Sequence, residues 1–216
     1  VSDLADLVQG SPEWHLARAG KVTASRIADM MATGKSGAPS ASRANYLAEL
    51  VCARLTGLPA ESYQSREMMW GNEQEPAARA LYGFMTDADV VEVGFVQHPT
   101  IEMAGCSPDG LVHADGMVQF KCPGSATHLA YLRGAPIPGL YVKQVQFEMA
   151  CTGRAWSDFT SYDPRFPADL QLHIRRVPRD PAMVVEIERA VIAFLDEVDL
   201  AVRALRPAGA FRESVA

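Results

Sequence analysis

Asp109 sits in a Ser-Pro-Asp-Gly turn, and ten residues later Gln119 and Lys121 alternate along the short segment Met117–Lys121. Side chains along a strand alternate faces, so positions 119 and 121 project together, and a hairpin-like connection can bring Asp109 beside them. A carboxylate, a second oxygen donor and a lysine so grouped are suited to phosphodiester hydrolysis. A hard divalent cation such as Mg²⁺ takes oxygen ligands and keeps open positions for water and phosphate. It acidifies a bound water and offsets charge on the phosphate, while a nearby lysine orients the water and stabilises the developing negative charge. The plain alternative is a turn in which Asp109 bonds its own backbone. Aspartate, nine residues, glutamine, one residue and lysine is a weak signal alone.

The elements that must position these residues are legible from periodicity. Ser11-Pro12-Glu13 reads as an N-cap followed by proline at the first helical position. Thr23 or Ser25 is expected to cap a second helix through Ile27, Met30 and Met31, ending near Gly34. Residues 35–42 read as a flexible Gly/Pro/Ser-rich loop. Apolar stripes predict helices over 43–57, 68–84, 140–152 and 183–205. The second of these carries Glu75 and Arg79 four apart on one face. Strands are expected over 90–98, 101–106, 117–121, 156–162 and 171–176. This order predicts an α/β fold, a central mixed β-sheet flanked by helices.

The 216 residues allow one well-packed domain over 1–216. A hydrophobic content of 48% with 21% charged residues is that of a soluble globular protein, and no run is long enough for a membrane span. The start Val1-Ser2-Asp3-Leu4 has no basic stretch followed by an apolar core, so no signal peptide is expected there. Cys52, Cys106, Cys122 and Cys151 form no CxxC pair, and with five dispersed histidines they predict buried thiols in a reducing cytosol rather than a zinc site. A net charge of −6 argues against non-specific coating of nucleic acid, though not against a local basic groove.

A longer pattern joins these pieces. Trp14, Arg18 and Gly20 precede Thr23-Ala24-Ser25, then Trp70-Gly71 with Glu75 and Ala78-Arg79. Ser107-Pro108-Asp109-Gly110, Lys121-Cys122-Pro123, Tyr141 with Gln144-Val145-Gln146, and Tyr162-Asp163-Pro164-Arg165 follow in order. Over about residues 9–166 this resembles the lambda exonuclease (YqaJ-like) family of phage recombination nucleases, within the PD-(D/E)xK (restriction-endonuclease-like) superfamily. The joint match is specific, whereas each piece alone is not.

The resemblance implies a Mg²⁺-dependent 5′→3′ exonuclease in a bacterial cytoplasm, with Mn²⁺ as a possible substitute. It implies digestion of one strand of duplex DNA from its end, leaving 3′ overhangs for a phage-type single-strand annealing protein. A ring-shaped homotrimer with a central channel is implied as well. Asp109, position 119 and the Phe120 backbone carbonyl would hold the metal, Glu75 would complete the site, and Lys121 would be the catalytic lysine. Gln144 would steady Lys121 or the attacking water. Gln146, two residues on, cannot share its face. Arg18 and Ser25 resemble the family's 5′-phosphate pocket, with Ser107 a further contact, and guanidinium, hydroxyl and helix N-terminus all suit phosphate. Alternatives are a surface Arg18, a Glu75–Arg79 surface pair, a solvent-facing Gln144 helix and a Trp14 core anchor.

Gln119 departs from the family, which has glutamate there. A neutral amide oxygen is a poorer ligand for a hard cation, so the site loses a negative charge. Two accounts stand open: an isosteric replacement made to trap a DNA complex, or a natural residue compensated by Glu75 and Asp109. Beside the exonuclease stand two other readings, a disabled DNA-end-binding protein and a restriction-type endonuclease.

Overall fold

Among the described residues, eight strands divide between two mixed sheets, with helices packed around them. The computed structural model describes residues 4–34, 37–59 and 65–206. Strands β1 (Val22–Thr23), β4 (Ala104–Cys106) and β3 (Val96–Gln97) form the smaller sheet in the order β1-β4-β3. The larger has the order β2-β5-β6-β7-β8, from β2 (Val90–Val91), β5 (Gly110–Val112), β6 (Gly116–Lys121), β7 (Trp156–Tyr162) and β8 (Leu172–Pro178). Within it β6 and β7 run parallel and every other pair is antiparallel. Among the described residues no helix is long and apolar enough to cross a membrane.

Helix α1 (Pro12–Arg18) opens as expected: Pro12 begins it and the Trp14 N–H donates to the Ser11 hydroxyl at 3.2 Å. The second helix departs from expectation. Thr23 stands at a cap position without a side-chain cap bond, because it already belongs to β1, and a 3-10 turn over Ala24–Arg26 precedes the four-residue α2 (Ile27–Met30). Lys35 and Ser36 of the expected loop lie outside the described residues. Helix α3 (Ala41–Thr56) starts two residues early, since the Ser40 hydroxyl accepts from the Arg43 N–H. Ser65 likewise starts α4 (Arg66–Thr86), accepting from the Met68 N–H at 3.3 Å.

The expected strand over 90–98 is interrupted. The N–H groups of Gly94 and Phe95 donate to the carbonyls of Ala5 and Leu4, so the N-terminal segment takes the backbone bonds that a continuous strand would use. The flanking pieces, β2 and β3, enter different sheets. Helix α5 (Ser125–Leu132) was not expected; it is anchored by His128, whose ring nitrogens each meet an oxygen at 2.8 Å, the Ser161 hydroxyl and the Leu170 carbonyl.

Helix α6 (Gly139–Thr152) is the buried axle of the fold. Every residue from Gln144 to Cys151 is buried, so the helix is not the solvent-facing one considered above. Phe147, Ala150 and Cys151 join a core built with α2, α3 and the long α7 (Pro181–Leu205). Val145 and Met149 pack on Met117 of β6. The opposite face of β6 puts Val118 and Phe120 against Ala78 and Tyr82 of α4. Thus α6 and α4 cover the two faces of the strand that carries Gln119 and Lys121. The cysteines are all free thiols, and Cys52, unlike Cys106 and Cys151, is exposed.

Candidate active site

Pairing of Gly110 with Val118 across the β5–β6 hairpin, continued by one residue, sets Asp109 opposite Gln119. The side chains meet there: Gln119 Nε2 donates to Asp109 Oδ2. The same oxygen accepts from the Phe120 N–H at 2.7 Å. Within a strand a residue's N–H and C=O point the same way, so the Phe120 carbonyl also faces the Asp109 side, where β5 has ended. Gln119 is 2% exposed, and its backbone carbonyl is held from β7 by the Thr160 hydroxyl at 3.1 Å.

This strand end opens onto a cleft of ≈ 870 Å³, bordered by Glu75, Asp109, Gln119, Lys121, Tyr141 and Arg165 among others. The Lys121 ammonium lies 5.0 Å from the Tyr141 ring centre. Glu75 comes from α4. Arg79, one turn on, donates to it at 2.6 Å and to the Asp109 backbone carbonyl at 3.3 Å, and meets Glu92 at 2.6 Å. The i, i+4 pair and the site residue are therefore the same glutamate. Trp70 and Arg165 stack at 5.0 Å on the cleft wall, which gives the Tyr162-Asp163-Pro164-Arg165 segment its place beside the site.

Arg18 and Ser107 also come together, 3.3 Å apart, with the Trp14 indole N–H donating to the same hydroxyl at 2.9 Å. The Arg18 guanidinium lies over the Trp14 ring at 3.9 Å. Trp14 thus holds the arginine in place, and Arg18 is no free surface residue. Burial lowers its pKa to about 10, a sign of a cation short of solvent and of anionic partners. Ser25 is exposed on the 3-10 turn and makes no side-chain hydrogen bond to Arg18 or Ser107.

Gln144 and Gln146 take different roles. Gln146 ties α6 to the start of α7, donating to the Pro178 carbonyl and accepting from the Asp180 N–H, both at 2.8 Å. Gln144 Nε2 donates to Gln119 Oε1 at 3.0 Å and to Glu148 Oε1 at 2.9 Å. Its hydrogen bonds therefore run to Gln119 and Glu148 rather than to Lys121. Glu148 escaped the sequence reading. The available signal was an acid four residues after Gln144, the only acidic side chain in the helix.

Electrostatically the site holds too much buried acid for its cations. Burial, then the neighbouring Asp109, push Glu75 up to about 7 and Glu148 up to about 8. Burial also raises Asp109, against the opposing pull of Lys121 and the Phe120 N–H. Among the described residues no three His, Cys, Asp or Glu side chains stand ready as a complete metal cage. The hard-oxygen set instead mixes carboxylates with the Gln119 amide and the Phe120 carbonyl. Carboxylates that crowd one another in a dry site, with an oxygen of Glu148 unpartnered, fit a divalent cation.

The YqaJ-like viral recombinase domain, as a family model, matches residues 13–155. Among solved structures the chain is similar to an alkaline exonuclease, LHK-Exo, from Laribacter hongkongensis, at 48% identity and a TM-score of 0.82, covering 91% of this chain and 96% of that one. LHK-Exo in complex with dAMP matches at the same identity and coverage, with a TM-score of 0.83. A phage-related exonuclease from Haemophilus somnus 129PT shares the fold at 16% identity, with a TM-score of 0.65 over 86% of this chain and 96% of that one. No curated protein matches the chain.

Proposed function

Because this chain belongs to the YqaJ-like viral recombinase domain family, whose phage-type members are exonucleases, we propose that it is a Mg²⁺-dependent 5′→3′ exonuclease acting on duplex DNA ends. The observation that carries this reading is the convergence of Asp109, Gln119, Lys121 and Glu75 on one cleft at the end of β6. Asp109, Glu75 and the Phe120 carbonyl would hold the cation. Gln119 would join them through its amide oxygen, which now faces Gln144. When bound, Mg²⁺, or Mn²⁺ in its place, supplies an acidified water and offsets charge on the scissile phosphate.

The chain's own groups do the rest. Lys121 projects into the cleft, where its ammonium can hydrogen-bond the attacking water and draw charge from a non-bridging phosphate oxygen. Arg18 and Ser107 offer donors to a terminal 5′-phosphate, and the poor solvation of Arg18 strengthens its pull on an anion. Ser25 would join them from the neighbouring 3-10 turn. Cleavage from 5′-phosphorylated ends leaves 3′ overhangs, the substrate of a single-strand annealing protein. A homotrimer enclosing the DNA belongs to the same reading, and a sedimenting particle of one chain would remove it.

One assay tests the core of the proposal. The chain and its Gln119→Glu variant are incubated with Mg²⁺ and linear, 5′-phosphorylated duplex, with covalently closed circular duplex in parallel. Nucleotide release from the linear substrate alone, by both proteins, is the expected result. Release only by the variant makes the unsubstituted chain a disabled, end-binding form, the reading favoured by the Gln119–Asp109 contact. Cutting of the circle makes it an endonuclease.

A further inference from the structure

Gln119 turns its nitrogen, not its oxygen, to Asp109. A cation held by Asp109 needs the reverse, since an amide ligates hard metals through oxygen. Reversal turns the amide hydrogens toward α6, where they require an acceptor. Glu148 is there. It is 1% exposed, its Oε1 is already linked to Gln119 through Gln144, and its Oε2 has no hydrogen-bond partner among the described residues. An unpartnered carboxylate oxygen is among the most unfavourable atoms to bury, and the adjacent Val145 and Met149 show that an apolar side chain would suit the helix core. Lys121 and Arg18 are the cations whose fields reach Glu148, and among the described residues neither forms an ion pair with it.

We infer that Glu148 acts from α6 as the acceptor that lets Gln119 present its oxygen to the divalent cation. The inference rests on the Mg²⁺-dependent reading above. Glu148 is a positioning residue: it lies behind the cleft lining and acts through Gln119 and Gln144. A carboxylate that accepts from a metal-bound group fixes its orientation and makes it a stronger donor to the metal.

Calorimetric titration of Mn²⁺ into four proteins tests this: the unsubstituted chain, Glu148→Gln, Gln119→Glu and the double variant, each checked for its fold by circular dichroism. Glu148→Gln alone should weaken Mn²⁺ binding about 10- to 100-fold, the effect typical of losing a partner behind a metal ligand. In the Gln119→Glu background the same change should cause no loss, because a carboxylate on the strand ligates through either oxygen and needs no acceptor behind it. A purely structural role would produce equal losses in both backgrounds, and that result overturns the inference, as does unchanged binding by Glu148→Gln. If Glu148→Gln does not fold alone, the Gln119→Glu pair decides: equal affinity supports the inference and a tenfold loss overturns it. Failure of the unsubstituted chain to bind Mn²⁺ at all removes the Mg²⁺-dependent reading itself, and this inference with it.

Discussion

At the scale of single residues, the proposed mechanism divides the site into groups that would touch the reacting atoms and groups that would hold them. It assigns Lys121 to the first. Replacing it with alanine removes a cation from the cleft but leaves the buried Asp109–Gln119–Gln144 chain untouched. Nucleotide release should fall by about 10²–10³, the range for losing one electrostatic stabiliser, while DNA affinity in a gel-shift assay changes little. Unaltered release would take Lys121 out of the mechanism. Arg18 is held at one end by Trp14 and Ser107. Arg18→Ala should bring the rates on 5′-phosphorylated and 5′-hydroxyl duplexes to the same value, and a preserved preference would assign phosphate recognition elsewhere. Strand alternation makes the shared face of Gln119 and Lys121 legible in the sequence, and the hairpin connection allows Asp109 to join them. Glu148 was not, because alternation and spacing reveal which residues share a face but not that the face of α6 is sealed from water.

At the scale of elements, local chemistry placed the start of α1, set the other expected long helices to within two residues where their starts are described, and tertiary competition decided the strands. Ser11 fills the cap expected of it, and Asp180 caps α7, which begins two residues ahead of the expected start. Asp180 accepts from the N–H groups of Ala182 and Met183 at the head of α7, at 2.9 and 3.2 Å. Asp180→Ala should therefore lower stability by about 1 kcal/mol, seen as a melting point about 2–4 °C lower, with nuclease rate unchanged. The bond from its own backbone N–H to Gln146 survives the substitution. By contrast, the run Val90–His98 carries one sign of its break, Gly94, a glycine of the kind that marks close backbone approach. The arrival of Leu4 and Ala5 at Gly94 and Phe95 divides the run between two sheets. Helix α5 was missed for a related reason: its anchor is His128, bonded to Ser161 and Leu170, residues distant along the chain.

At the scale of the whole molecule, a buried carboxylate near the cleft is expected to contribute to acid stability. Burial would raise the pKa of Asp163, but hydrogen bonds from Arg165 and Ser125 outweigh it and hold the group down at about 2. A depressed acid stabilises the fold at pH values above its unfolded pKa near 3.8, and this contribution is lost as pH falls toward 2. Thermal melts from pH 5 to pH 2 should show Asp163→Asn less stable at pH 5, with the difference from the unsubstituted chain shrinking toward pH 2. A constant gap would place the effect in packing rather than charge. The sequence by itself determined the α/β class, the start of α1 and the order of the motif residues, because these follow from local periodicity, capping and spacing. Only the tertiary structure decided that Asp109 faces Gln119, that Trp14 and Ser107 brace Arg18, and that Glu148 stands behind Gln119. Those facts depend on which surfaces lose water against which neighbours, and burial between distant segments is written in no single stretch of chain.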